Sequence, residues 1–285
     1  MSEMMTEPKP GPAGGAAVAP EAPLSYGSYL EVAGLLELQR PRTEAHDELL
    51  FIVTHQAFEV WFACALHELE QVRAAMDEGR TGPARWGLRR VREMVRLWIV
   101  QMDVLGTMTP EGFNEFRGAL GESSGFQSVQ FRELEMISGL RDRRHLRLPG
   151  STEAERERMN RRFTEPSLRE AFAALLERQG LGADELFVPG LAPDELRELA
   201  EDLLDFDAAF HQWRYRHWLL VVRVLGAKPG TGGSAGAEFL RQTLGQWFFP
   251  ELHDARAGAV PDVLADAGSE PDATGCPLGY GAAAS

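Results

Sequence analysis

Leu203-Leu204-Asp205-Phe206-Asp207-Ala208-Ala209-Phe210-His211-Gln212-Trp213-Arg214-Tyr215-Arg216-His217-Trp218-Leu219-Leu220-Val221-Val222-Arg223-Val224 is the stretch on which the fold turns. Leu203, Phe206, Phe210, Trp213, His217, Leu220 and Val224 follow one another at steps of three or four, the spacing that puts side chains on one face of an α-helix. His217 points the same way as this apolar stripe. The stretch 47–69 repeats the pattern with Phe51, His55, Phe58, Phe62 and Leu66, and its histidine is again embedded in the apolar face.

Outward from these two segments the periodicity continues. Long helices are expected over 44–78, 82–106, 110–140 and 194–226, and shorter ones over 26–38, 166–178 and 236–246. Sustained alternation and Asn-Gly or Asp-Gly hairpin turns are missing, so strands are not expected. Segment 141–165 is polar and Arg-rich and reads as an excursion between bundle helices. Residues 1–23 and 258–285 are rich in Pro, Ala and Gly and read as disordered tails around a single domain over 24–257. The fold class is all-α, a helical bundle.

Bulk properties narrow the function. Of 285 residues, 44% are hydrophobic and 25% charged, enough for an ordinary globular core. A net charge of −14 and a pI near 5.0 argue against nucleic acid or an anionic membrane as partner, since phosphate binding needs a basic surface. The basic runs Arg141–Arg147 and Arg156–Arg162 are interrupted by acids and are expected to be solvated. Cys64 and Cys276 lie in dissimilar surroundings and suggest neither a disulfide framework nor a metal quartet. With no signal peptide and no run of roughly 18 apolar residues, the chain reads as soluble and cytoplasmic.

Taken alone, a histidine on an apolar helix face is more often a hydrogen-bonded core residue than a ligand. Two such imidazoles on two long helices raise the case for a buried cofactor, because neutral imidazole is the commonest metal ligand and a single axial histidine in an apolar cavity holds iron in many haem proteins. A di-iron carboxylate bundle would need Glu-x-x-His pairs, and no histidine here has Glu three residues before it. No HExxH or CxxC pair supports zinc. Arg117, four residues after Phe113, reads either as a snorkelling or acid-paired arginine or as a bidentate clamp on a carboxylate. Gly230-Thr231-Gly232-Gly233-Ser234-Ala235-Gly236 lacks the lysine of a nucleotide-binding loop. As a glycine-rich turn before a helix it could still offer backbone N–H groups to an anion, with Thr231 as a side-chain partner.

These pieces coincide in one family. The chain resembles tryptophan 2,3-dioxygenase over roughly residues 24–256. The resemblance rests on Tyr26-Gly27-Ser28-Tyr29-Leu30, His46-Asp47-Glu48-Leu49-Leu50-Phe51-Ile52, His55-Gln56 with Glu59 and Trp61, and Phe116-Arg117. It continues through Ser123-Ser124-Gly125-Phe126-Gln127-Ser128, Trp213-Arg214-Tyr215-Arg216-His217, Gly230-Thr231-Gly232-Gly233-Ser234 and Phe248-Phe249-Pro250-Glu251-Leu252.

The resemblance implies a haem b enzyme that oxidises the indole C2–C3 bond of L-tryptophan with O2 to N-formylkynurenine, assembled as a homotetramer. It places His217 as the proximal iron ligand and His55 as the distal residue that meets the indole N–H. It makes Phe51 an aromatic wall, and Arg117 and Thr231 the groups holding the substrate's carboxylate and ammonium. Ser124 and Gly125 would line the haem side, and Tyr26, Tyr29 and Leu30 would close a neighbouring subunit's site.

The chain departs from the family at Phe113, where a tyrosine usually supports the carboxylate. It departs again at Ala57 and Phe58, where small hydroxyl residues are usual. These departures leave open a haem mono-oxygenase acting on a β-methylated tryptophan to give an oxindole. A haem-binding protein without turnover is the remaining alternative, against which the retention of Arg117 and Thr231 speaks.

Overall fold

The structure, a computed structural model, describes residues 23–226 and 236–259. The described residues up to Arg40 form one compact unit and the described residues from Pro41 another. In the first, α1 (Tyr26–Tyr29) opens with a reciprocal Ser25–Ser28 capping box, and α2 (Val32–Leu36) follows. Glu31 between them takes a left-handed conformation (φ 50°), which a side chain tolerates poorly. The single helix expected over 26–38 is therefore two short pieces.

In the second unit the two sequence stripes become α3 (His46–Asp77) and α10 (Asp194–Leu225), with α4 (Thr81–Leu105) between them in the order of packing. Gly79, at φ 74°, makes the tight reversal from α3 to α4. Ion pairs align α4 with α10: Arg85–Glu198, Arg89–Asp202, Arg92–Asp205 and Asp103–Arg216 all keep a separation of 113 residues. A constant offset means that the two helices run parallel. Against α3, α4 runs antiparallel, with Arg90 on Glu68 near one end and the Gln101 amide donating to the Thr54 carbonyl near the other. Gly87 sits where α3 and α4 come closest; a Cβ there would lie 2.4 Å from Val72 Cγ2.

The helix expected over 110–140 is broken. Helix α5 (Pro110–Arg117) starts on the Thr109 cap with proline in its first turn. The chain then leaves the helical path through Gly118–Leu120 and Gly121 (φ 56°), and the Ser124 and Ser128 side chains cap fresh starts, the second of them that of α6 (Val129–Ser138). Four hydroxyl- or glycine-bearing positions over 121–125 favour turn over helix.

The Arg-rich excursion at 141–165 contains α7 (Glu153–Thr164), begun by a Thr152–Glu155 capping box. Its arginines are not all solvated as expected: Arg162 is 6% exposed and pairs with Glu70 and Glu165. Helices α8 (Leu168–Arg178), α9 (Ala183–Leu186), α11 (Ala237–Thr243) and α12 (Pro250–Gly258) complete the described residues, and no strand occurs among them. Thr231 lies outside the described residues, as do most of both terminal segments. Helix α3 is, among the described residues, long and apolar enough to cross a membrane by composition. In this fold it is the helix against which α4, α5, α6 and α8 pack.

Candidate active site

The apolar faces of α3 and α10 converge with α5, α6 and α11 on a cavity of about 250 Å³. Behind it stands a cluster of rings from four helices. Phe62 meets Trp98 at 5.0 Å and Phe131 meets Trp213 at 5.0 Å, edge-on or tilted, the geometry aromatic quadrupoles favour. This wall gives the cavity a stiff floor from which two imidazoles project.

His55 Nδ1 lies 2.7 Å from the Phe51 carbonyl oxygen one turn back. A carbonyl only accepts, so Nδ1 carries the proton and donates, which makes Nε2 of the neutral ring an acceptor. Burial lowers the His55 pKa, while the Phe51 carbonyl and the Glu59 carboxylate act the other way. Glu59 is held in turn by the Gln130 amide, which donates to it at 2.7 Å.

His217, from α10, lines the same cavity with its ring 5.3 Å from that of Trp213. Burial pushes its pKa down to about 4, and the positive charge of Arg132 acts in the same direction, as would a proton on His55. At neutral pH the imidazole is thus uncharged. Among the described residues neither of its nitrogens has a hydrogen-bond partner, so a ring lone pair is available to whatever fills the cavity.

Three buried charged side chains from α6 and α10 also line the cavity: Arg132, Glu135 and Arg214, each 5% exposed or less. Arg132 donates to Glu135 at 2.7 Å and Arg214 donates to its other oxygen at 3.3 Å, while Arg214 also reaches the Gln246 carbonyl at 2.6 Å. Behind Arg214, buried Asp207 accepts from the backbone N–H groups of Phe248 and Phe249 at 2.9 and 3.0 Å and ties α12 to α10. Burial raises the Asp207 pKa against those bonds.

Of the residues singled out in the sequence, Phe51, His55, Phe113, Ser124, Gly125 and His217 all line this one cavity. Phe113 is buried between Phe51 and Phe116, so that part of the wall carries no hydroxyl. Phe58, buried against Phe62 and Trp213, adds a ring where the resemblance calls for a small residue. Arg117 is not itself in the wall; its guanidinium carbon lies 6.0 Å from the Phe113 ring centroid, at the end of α5. Tyr26, Tyr29 and Leu30 belong to the N-terminal unit, where they are exposed (80%, 73% and 46%).

Sequence reasoning missed Arg132 and Glu135. Their signal was an i, i+3 Arg–Glu pair in a segment, Phe131 to Ile137, where charged residues alternate with Leu134, Met136 and Ile137.

Comparison with known proteins points to one family. The family profile of tryptophan 2,3-dioxygenase matches residues 13–187 and 192–258. The tryptophan 2,3-dioxygenase of a Nocardioides species is 44% identical over 253 residues, covering 83% of this chain and 95% of that protein. That of Herpetosiphon aurantiacus is 40% identical over 256 residues (82% and 98%), and that of Pseudomonas fluorescens 35% identical over 257 (82% and 90%).

Proposed function

The chain belongs to the tryptophan 2,3-dioxygenase family, and on that premise we propose that it is a haem b-dependent oxygenase opening the indole ring of L-tryptophan to N-formylkynurenine. The observation that carries this reading is the pair of neutral imidazoles from α3 and α10 in one apolar cavity, one with its tautomer fixed and the other with its ring nitrogens unengaged among the described residues.

The residues fit the cofactor. Among the described residues no three His, Cys, Asp or Glu side chains gather to hold a metal on their own. A lone neutral imidazole in an apolar cavity suits a metal whose other positions a macrocycle fills. His217 would hold the iron in this reading, and Ser124 and Gly125 would lie against the porphyrin. Ferrous haem supplies the binding and activation of O2.

The chain's own side chains hold the substrate. Nε2 of His55 accepts the indole N–H, because its Nδ1 proton is committed to Phe51. Phe51 and Phe113 confine the indole plane. Arg117 and Thr231 take the carboxylate and ammonium, and Tyr26, Tyr29 and Leu30 close the site of a neighbouring copy in a homotetramer. Such fixing of two reactants is worth up to about 7–11 kcal/mol of barrier when the geometry is ideal. A cytoplasmic location fits a chain with the free thiol Cys64 exposed on α3.

The one-oxygen alternative on a β-methylated tryptophan gains no support from these relatives, which are named dioxygenases. Reaction of the ferrous, haem-loaded protein with L-tryptophan under labelled O2 tests the proposal. Two labelled oxygens in a formylkynurenine are expected. A single labelled oxygen in an intact oxindole would replace the dioxygenase with the mono-oxygenase.

A further inference from the structure

Arg132 is 5% exposed and lines the cavity, yet its hydrogen bonding is incomplete. One nitrogen, Nη1, donates to Glu135. Nε is buried without a partner, and Nη2 donates to no acceptor among the described residues. The rings of Phe126 and Phe131 stand 4.7 and 5.2 Å from the guanidinium carbon and hold the fork in place without accepting its N–H bonds. Glu135 cannot satisfy Arg132 alone, because it is shared with Arg214. A buried guanidinium with idle donors is costly unless an acceptor arrives. The acceptor that matches a planar fork is a carboxylate.

We infer that Arg132, steadied by Glu135, anchors a propionate carboxylate of the porphyrin whose metal His217 holds. This rests on the haem reading above.

Two sources of carboxylate could enter the cavity, the porphyrin and the amino-acid substrate. Position favours the porphyrin. Glu135, which accepts from Arg132, also accepts from Arg214, three residues before His217 on α10, so the fork is tied to the helix that carries His217 rather than to α3, which carries His55. Phe126, stacked on Arg132, follows Gly125 directly in the cavity wall. The anchor explains why α6 buries an Arg–Glu pair against the cavity. Glu135 orients the fork, and the remaining donors wait for the ligand.

The test uses the full-length chain, titrated with ferric haem and with ferric haem dimethyl ester and followed by Soret absorption. The wild-type protein should bind the diacid about tenfold or more tighter than the diester, since a charge-assisted bond to a carboxylate is lost on esterification. Arg132→Met should remove that preference, and Arg132→Lys should keep part of it. Equal affinity of the wild-type chain for diacid and diester overturns the anchor, even if Arg132→Met fails to fold. So does an Arg132→Met protein, folded by circular dichroism, that keeps the full preference. A variant that keeps the preference but binds L-tryptophan tenfold more weakly would assign Arg132 to the substrate and likewise overturn it. Failure of both porphyrins to bind removes the haem reading itself and the anchor with it.

Discussion

His217 and His55 are alike in the sequence and unlike in the structure, and the difference predicts how each variant behaves. Both sit in apolar stripes, which the 3.6-residue period made visible. Only His55 has a ring nitrogen engaged by the backbone. His217→Ala should therefore yield protein depleted of haem by absorption spectroscopy and iron content. His55→Ala should retain haem and lose chiefly L-tryptophan affinity and rate. Wild-type haem content and an unchanged histidine-ligated spectrum in His217→Ala would remove its assignment, and loss of all haem from His55→Ala would exchange the two roles. The charged residues around them were harder to read. Periodicity assigns Arg and Glu to solvent by default, so Arg132, Glu135 and Arg214 were invisible as cavity residues until their burial was known. Asp207 was hidden for a different reason: its partners are backbone N–H groups some forty residues on, which no local pattern encodes.

At the scale of elements, the long helices were legible because each carries several turns of one repeating face. What the pattern misses is local chemistry. The 110–140 segment keeps apolar spacing on both sides of the break, but Gly118, Gly121 and the Ser123-Ser124-Gly125 run end one helix and cap the next. That break lets Ser124 and Gly125 reach the cavity. Helix α7 was missed because its composition is polar, although its capping box was readable.

Caps and crossings can be tested. Ser167 starts α8 with its hydroxyl on the Glu170 N–H and Glu170 reaching back, so Ser167→Ala should lower stability by about 1 kcal/mol in urea unfolding. Arg141 first, with Ser167 assisting, holds the Glu170 carboxyl down at about 2, against an ordinary 4.5. Because the folded value is the depressed one, its contribution is complete above 4.5 and fades as pH falls towards 2. Glu170 is half-exposed, so screening keeps that contribution small. The stability gap between wild type and Glu170→Gln should close across this window; a gap that stayed constant would separate the cap from the carboxylate's charge. Gly87→Ala should cost about 1–3 kcal/mol, because the added methyl meets the stiff, buried Val72 side chain rather than a flexible tip. A neutral result in thermal melting would mean that α3 and α4 can separate without penalty.

For the whole molecule, the buried core and the candidate site are one construction. The rings of Phe62, Trp98, Phe210 and Trp213 belong to the main core cluster and Phe131 packs against it, while Phe62, Phe131 and Trp213 also line the cavity, so loss of packing there should loosen the site as well. The N-terminal unit stands in contrast. Helices α1 and α2 contain no buried residue, and Tyr26 and Tyr29 present most of their surface to solvent. Exposed tyrosines are large apolar bodies with a polar tip, a form suited to closing over a ligand at a boundary with water. Among the described residues, none before Pro41 is a member of the main core cluster. Deleting residues 1–40 should thus change unfolding free energy by less than about 0.5 kcal/mol, as for surface changes generally, while lowering kcat/KM for L-tryptophan if the segment closes a neighbouring copy's site. Mixing makes the two roles separable. A deletion protein combined with an excess of full-length chain carrying His217→Ala should regain turnover, because the inactive chain can lend its N-terminal segment. Undiminished activity of the deletion protein alone would show that the segment closes no site. A large drop in melting temperature would instead make Tyr26, Tyr29 and Leu30 part of the structural core.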